Sequence, residues 1–510
     1  MIPVDSSSAL CVAGSLRRHL RSRVSWGIAA FFLLFAIAPA DAGTHRARVS
    51  RDVSQRLAAN SAQAADVIVK GSPDEVKALA TRHGLRVRRV LRSGAVLSVS
   101  GSQLEALSLD PAVAALPADR SVFPTMSVTA EATGVDQVWR GIDEVGRFTG
   151  KGIGVAVIDS GVTEHSDLRG RIAAHVDFTN GLGRGRDFYG HGTHIAGIVA
   201  GNGALPITPG GPVFRGLAPG AHIINLRVLE ADGSGKTSDV LEAIDWAIEH
   251  RAQYNIRVLN VSLGHPVVEA SADDPLVQAV ERASAAGIVV VCSAGNLGKL
   301  PDGRMVMGGI NSPGNAPSVI TVGALNTHGT PERSDDEVAS YSSRGPTAVD
   351  GLIKPDLVAP GNKIVSLQAS ASKLAMRYPE LRVGGNATRG YMQLSGSSQA
   401  AGVVAGIAAL LLEANPSLTP VQVKFTLQAT SSMLPNVGLV TAGAGSVNAA
   451  AAVQMAVKGP SARQTTTTIG GEPVTSGSIA FQNVQAKDPK PNTIVWGDTI
   501  VWGDTIVWGD

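Results

Sequence analysis

The chain is 510 residues long, 44% apolar and 17% charged, with a formal net charge of +2. Its length exceeds what one core usually supports, so a large domain of about 300 residues with smaller attachments is expected. The near-neutral charge gives no global basis for binding nucleic acid, and the apolar fraction is that of a globular protein rather than a disordered one.

The N-terminus reads as an address. Arg17, Arg18, Arg21 and Arg23 precede the apolar run Trp26–Ala38, and small residues follow at Ala40–Ala42. The run is short of the ~20 residues of a membrane span, so residues 1–42 are assigned to a cleaved signal peptide rather than an anchor or a core helix. A secreted or extracytoplasmic chain with no stable membrane span follows from this. Of the two cysteines, Cys11 leaves with the signal and Cys292 remains, so no internal disulfide is expected in the mature chain.

Residues 43–126 alternate short strands with helices. "DVIVK" (Asp66–Lys70) and "AVLSVS" (Ala95–Ser100) read as strands, and "SPDEVKALATRHG" reads as a helix capped by Ser72, opened by Pro73 and closed at Gly84. The order strand, helix, strand, strand, helix, strand predicts a small ferredoxin-like α+β unit, placed where a pro-segment would lie. From Ser127 to Val457 the pattern changes. Gly152–Asp159, His222–Leu229, Ile256–Gly264, Gly287–Gly295 and Ser318–Ala324 are continuous β-branched runs separated by helical stretches. Strands buried on both faces predict a doubly wound, mostly parallel α/β sheet with its site at the strand carboxyl ends. Residues 458–492, rich in Thr, Gly, Ser and Pro, are read as a linker. The tail, 493–510, is three copies of TIVWGD. Six is an even period, so a strand would present the same face in every copy, as an edge for pairing or as a tail with no fixed partner.

Three features carry chemistry. Asp159 ends the first long strand, His191 precedes a small-residue helix in "YGHGTHIAGIVAG", and "LSGSSQAAGVVAG" offers Ser395, Ser397 and Ser398 ahead of another helix. A serine attacks only when a base removes its proton, and an Asp-oriented imidazole supplies one. His191 and His194 also have the spacing of a helical metal pair, but no third ligand or HExxH-type Glu accompanies them, so no metal is assigned. The order Asp, His, Ser separates this arrangement from the α/β-hydrolase and chymotrypsin orders, and Ala400 stands where a G-x-S-x-G elbow needs glycine.

With "VAVIDSGV", "HGTHIAG", "SLG" at Ser262–Gly264, "VCSAGN", "SSRGP", "KPDLVAPG" and "GSSQA" in this order, residues 127–457 resemble a subtilisin-family (subtilase) serine protease. The resemblance implies a subtilisin-like fold preceded by an inhibitory, folding-assisting propeptide. It implies Asp159, His191 and Ser398 as the triad, with Ser397 preceding the nucleophile and Ser395 a turn residue. Asn296 and the Ser398 N–H would hold the oxyanion. Substrate would add as a strand between Ser234–Lys236, including Gly235, and Ser262–Gly264, with Leu263, Gly264, Ser293 and Gly295 in the wall of the first specificity pocket. The chain departs from the pattern at Gln399 and at Ala401–Val403, and the loop Gly201–Gly216 lacks a run of oxygen ligands. No cofactor is needed for the chemistry, and structural calcium is unsupported.

These readings give a self-processing secreted serine endopeptidase acting on proteins or peptides, with its own propeptide as intramolecular inhibitor and cleavage near Pro124–Ser127. Two rival readings remain, a non-catalytic surface or adhesion protein that retains the fold and an esterase that uses the same triad.

Overall fold

The computed structural model describes residues 45–49, 53, 64–91, 93–117, 125–179, 185–204, 213–386, 389–482 and 493–496. The expected signal peptide, with Cys11, and the Pro124 end of the expected maturation site lie outside these residues. The chain divides into two units, Met1–Ser121 and Val122–Asp510.

In the first unit, β1 (Ala65–Lys70), α1 (Pro73–Arg82), β2 (Arg86–Leu91), β3 (Gly94–Val99) and α2 (Gly101–Ser108) follow in chain order. Both helices start on capping boxes, Ser72 with Glu75 and Ser100 with Gln103, which satisfy first-turn N–H groups that would otherwise lack partners. The sheet is antiparallel in the order β1-β3-β2. The expected last strand is reduced to β4 (Ala115–Leu116), which pairs in parallel with Arg48–Val49. It reaches the main sheet through the Ile68 N–H, which donates to the Pro117 carbonyl at 2.9 Å. Val67, Leu79, Leu97, Leu104 and Leu107 fill the core between helices and sheet.

The second unit is built on the strands the five β-branched runs predict, with ends displaced by two or three residues, and on two that the sequence reading did not include, Ile172–Asp177 and Leu357–Pro360. They are β5 (Gly154–Asp159), β6 (Ile172–Asp177), β7 (His222–Arg227), β8 (Ile256–Val261), β9 (Val289–Ser293), β10 (Ile320–Asn326) and β11 (Leu357–Pro360). Their order is β10-β9-β8-β5-β7-β6, all parallel, with β11 parallel to β10 and the two-residue strand Glu337–Val338 antiparallel to it; β12 (Ile364–Leu367), α6 (Lys373–Arg377) and β13 (Tyr391–Leu394) follow, β12 antiparallel to β13. The succession turns from one side of β5 to the other, so the carboxyl end of β5 opens at the topological switch point.

Alternation along β5 sorts its side chains. Val155 and Val157 pack with α3 (His191–Ala200) and α7 (Ser397–Ala414), while Ala156 and Ile158 pack with α4 (Thr237–Glu249) and α5 (Pro275–Ala285). The same two-residue period directs Asp159 toward the α3 and α7 side. These two helices approach closely because small residues line their contact. A Cβ on Gly402 would lie 3.3 Å from Ile198. All residues from Ser397 to Leu412 are buried. Among the described residues α7 alone is long and apolar enough to cross a membrane, and that burial makes it the central core helix.

The "KPDLVAPG" segment supplies a buried ionic cluster behind the sheet. Asp356 accepts from Lys354 Nζ at 2.7 Å and pairs with Lys424 Nζ at 2.8 Å, and the Thr321 N–H donates to it at 2.7 Å. Burial drives the Lys354 pKa down to about 8, against the pull of Asp356. Cys292, in β9, is fully buried, and burial pushes its thiol up to about 12, so it stays protonated and serves as a small core side chain.

Residues 458–492 correct the linker reading. Within them lie β14 (Thr466–Ile469), β15 (Glu472–Thr475) and β16 (Ile479–Gln482), with Ile469, Val474, Ile479 and Phe481 buried. Thr and Gly dominate here because β14 and β15 form a tight hairpin through Gly470 and Gly471, both at positive φ. The first TIVWGD copy contributes β17 (Thr493–Trp496), antiparallel to β16.

Candidate active site

The site forms where the carboxyl end of β5 meets the starts of α3 and α7. Asp159 has no solvent exposure, and the Ser160 N–H donates to its Oδ1 at 2.7 Å. His191 begins α3, and its Nδ1 lies 2.9 Å from both carboxylate oxygens. An ionised carboxylate only accepts, so Nδ1 carries the proton and Nε2 keeps a free lone pair. Two glycines permit this approach. Gly190 enters the helix at φ +109°, and a Cβ on Gly192 would sit 2.2 Å from the Gly161 carbonyl and 3.0 Å from Asp159 Cβ.

Burial of the imidazole opposes its protonation. The charge and hydrogen bond of Asp159, with the charge of Asp187, outweigh that burial and hold His191 above the ordinary histidine value. Asp187 was not singled out from the sequence. It is fully buried and accepts from the Ser160 hydroxyl (2.9 Å), the Gly190 N–H (2.6 Å), the Thr193 N–H (2.8 Å) and the Thr193 hydroxyl (2.6 Å). It therefore ties the residue after Asp159 to the helix start that carries His191. Burial raises its pKa, while these donors favour the anion. His194 is buried with Nε2 3.1 Å from the Met392 carbonyl, and burial lowers its pKa to about 3. It is a neutral core residue, and the two histidines serve different partners. Among the described residues no group of three His, Cys, Asp or Glu is placed to hold a metal ion. Part of the Gly201–Gly216 loop, residues 205–212, lies outside the described residues.

The three serines separate clearly. Ser395 accepts from the Lys363 N–H at 2.8 Å and holds a turn. Ser397 connects two loops: its hydroxyl accepts from the Gly295 N–H at 3.0 Å, and its own N–H and hydroxyl donate to Asn296 Oδ1 at 2.9 and 3.1 Å. The backbone donor fixes which end of the Asn296 amide is oxygen, leaving Nδ2 as the outward donor. Ser398 follows at the first turn of α7, where N–H groups lack helical partners. Its hydroxyl donates to the Ser262 carbonyl at 3.1 Å, and the Ser262 hydroxyl donates back to the Ser398 carbonyl at 3.2 Å. Among the described residues no hydrogen bond joins Ser398 to His191, and the Ser398 hydroxyl is engaged with the Ser262 carbonyl instead.

An open cleft of about 460 Å³ runs past His191. Ser234, Gly235, Ser262, Leu263 and Gly264 line it, as the sequence reading expects. Ser293 and Gly295 do not line this cleft. Ser293 is buried at the end of β9, and a Cβ on Gly295 would meet the Asn311 side chain at 3.0 Å. Tyr189, Leu229, Val240 and Leu276 are also among the lining residues and were not identified from sequence. Only Tyr189 had a signal, its place two residues before His191.

The subtilase family matches residues 150–464. Serine protease AprX of Bacillus subtilis (strain 168) is 40% identical over 336 residues, covering 65% of this chain and 72% of that protein. Alkaline elastase YaB of Bacillus sp. (strain YaB) is 33% identical over 361 residues, covering 70% and 79%. Subtilisin Savinase of Lederbergia lenta is 34% identical over 307 residues, covering 60% and 93%. A solved cold-adapted subtilisin-like serine proteinase, 31% identical, covers 59% of this chain and 88% of its own, with a TM-score of 0.43. The match over residues 150–464, together with the identity to AprX, shows that the chain belongs to the subtilase family as a subtilisin-like serine endopeptidase.

Proposed function

We propose that this endopeptidase is a secreted, self-processing precursor that cleaves peptide bonds through Asp159, His191 and Ser398. The observation that carries this reading is the paired 2.9 Å contact of Asp159 with His191 Nδ1, with Ser398 anchored to Ser262 on the same cleft. Substrate adds as a strand between the Ser234–Gly235 and Ser262–Gly264 edges. Nε2 of His191 removes the Ser398 proton as Oγ attacks the scissile carbonyl carbon. The oxyanion is held by Asn296 Nδ2 and the Ser398 N–H at the α7 N-terminus. His191 then protonates the leaving amine, and water hydrolyses the acyl-enzyme by the same path in reverse. In this reading residues 1–42 direct export, and residues 43–126 act as the propeptide until cleavage near Pro124–Ser127.

Active-site labelling with a fluorophosphonate, followed by peptide mapping, tests the assignment. Label is expected on Ser398 and absent in His191→Ala; label on another serine would reassign the nucleophile. Replacing Asn296 with alanine is expected to lower kcat by about 10²–10³-fold with little change in KM, because the lost donor serves the oxyanion rather than the bound substrate. Steady-state kinetics on one peptide substrate reads both constants.

Asp187→Asn tests the second carboxylate. Removing its charge takes away one of the influences that raise the His191 pKa, so the acid limb of kcat/KM should move to lower pH. An unchanged limb with reduced kcat would make Asp187 purely a scaffold for the helix start.

A further inference from the structure

The TIVWGD tail is not used by the catalytic reading, and the strand it pairs with has an unusual neighbourhood. One edge of β16 is tied to α8 (Pro420–Thr430): the Phe481 N–H donates to Gln428 Oε1 at 3.3 Å, and just before the strand the Ser478 N–H, at positive φ, donates to the Ala429 carbonyl at 3.0 Å. Successive residues of a strand aim their backbone groups at opposite edges. The backbone groups of Ala480 and Gln482 therefore face away from Gln428, toward β17. The register places Ala480 opposite Val495 and Gln482 opposite Thr493.

β17 is one of three identical units, 493–498, 499–504 and 505–510. A shift by six residues keeps every side chain on its face, so the β16 edge has no side-chain basis for choosing among the copies. Only the tether differs. From Gln482 the intervening chain is ten residues to the first copy and sixteen to the second, a roughly twofold difference in closure probability. Each chain thus carries one slot and three copies of the sequence that fills it.

We propose that the β16 edge is an exchangeable docking slot for the TIVW strand, and that a second molecule of this chain is its alternative occupant. The occupant adds by backbone pairing to Ala480 and Gln482, as a strand does in β-augmentation or domain swapping. Surplus copies on one molecule then link it to the slot of another.

The test uses the chain carrying Ser398→Ala, which serves only to prevent self-digestion, with and without residues 493–510. A fluorescein-labelled TIVWGDTIVWGD peptide is titrated by anisotropy, and TIPWGDTIPWGD, which lacks the donor at valine, serves as control. Saturable binding to the shortened chain is expected. Binding to the full chain should be at least about tenfold weaker, because its own tail competes at high effective concentration. The control peptide should not bind. In sedimentation velocity the full chain should associate with rising concentration and the shortened chain should not. Should the shortened chain lose its cooperative unfolding, the full chain with Val495→Pro, Val501→Pro and Val507→Pro takes its place. Absence of peptide binding by a folded tail-deficient chain, equal binding of the two peptides, or a full chain that stays monomeric throughout would overturn the proposal.

Discussion

Replacing Ser398 with alanine is expected to reduce kcat on a peptide substrate by about 10⁶-fold, the scale seen when one member of such a triad is removed. The fold should survive. The substitution deletes one hydroxyl that donates to the Ser262 carbonyl, worth about 1 kcal/mol, while the reciprocal bond from the Ser262 hydroxyl to the Ser398 backbone remains. Thermal unfolding and KM should stay close to those of the parent. Residual turnover would come from substrate alignment and from Asn296 with the α7 N–H groups, and adding His191→Ala should cost little more because the two residues act as a unit. A fall of less than about 10³-fold would place the nucleophile elsewhere. Ser397 is the adjacent hydroxyl, but it is already engaged with Gly295 and Asn296, which leaves it poorly placed to attack.

Asp159→Asn is expected to lower kcat by about 10⁴-fold and to displace the pH profile. An asparagine keeps an oxygen for the Ser160 N–H, so the loop geometry has a route to survive. Its amide donor, however, faces Nδ1 and favours the tautomer with the proton on Nε2, which cannot act as base. The sign of the pH effect follows from the same charge. His191 is raised above 6.5 because Asp159 and Asp187 stabilise the imidazolium more than burial destabilises it. The neutral form is the active one, so the parent's kcat/KM should rise with pH through a value above that of a free histidine. In Asp159→Asn the burial opposing protonation remains and the main charge favouring it is gone, so the limb should fall to lower pH. A profile from pH 5 to 9 for both proteins decides the matter. An unmoved limb would mean that Asp159 orients His191 without setting its proton affinity.

The residues proposed for catalysis were legible because each stands at a punctuation mark. Asp159 ends an apolar strand, His191 lies between Gly190 and Gly192, and Ser398 follows Gly396 at the head of an apolar helix. The parallel sheet was legible for the same reason, since strands buried on both faces leave unbroken β-branched runs. The cleft wall was not. Val240 and Leu276 are ordinary helix residues, brought to the site only by the packing of α4 and α5 beside β8. Asp187 reads as any loop acid until its four donors are seen, and the roles of Ser397 and Asn296 depend on a contact spanning about a hundred residues. The 458–492 segment misled because Thr, Gly and Pro signal a linker when alone and a hairpin when a neighbouring surface covers them. Its strands depend on burial against the catalytic unit, which composition does not report.

The ionic cluster behind the sheet has a consequence for how the protein meets alkali. Two lysines share one carboxylate, so the buried group carries an excess positive charge while both are protonated. Lys354 gives up its proton near pH 8 in the folded chain, whereas an unfolded lysine holds it to about 10.4. Between these values the unfolded state binds more protons, so proton linkage at this site favours the folded state as pH rises. The Cys292 thiol nearby is still neutral in this window. Losing the Lys354 proton thus removes one of the two cations that share Asp356, and the buried cluster meets base with less charge to hold.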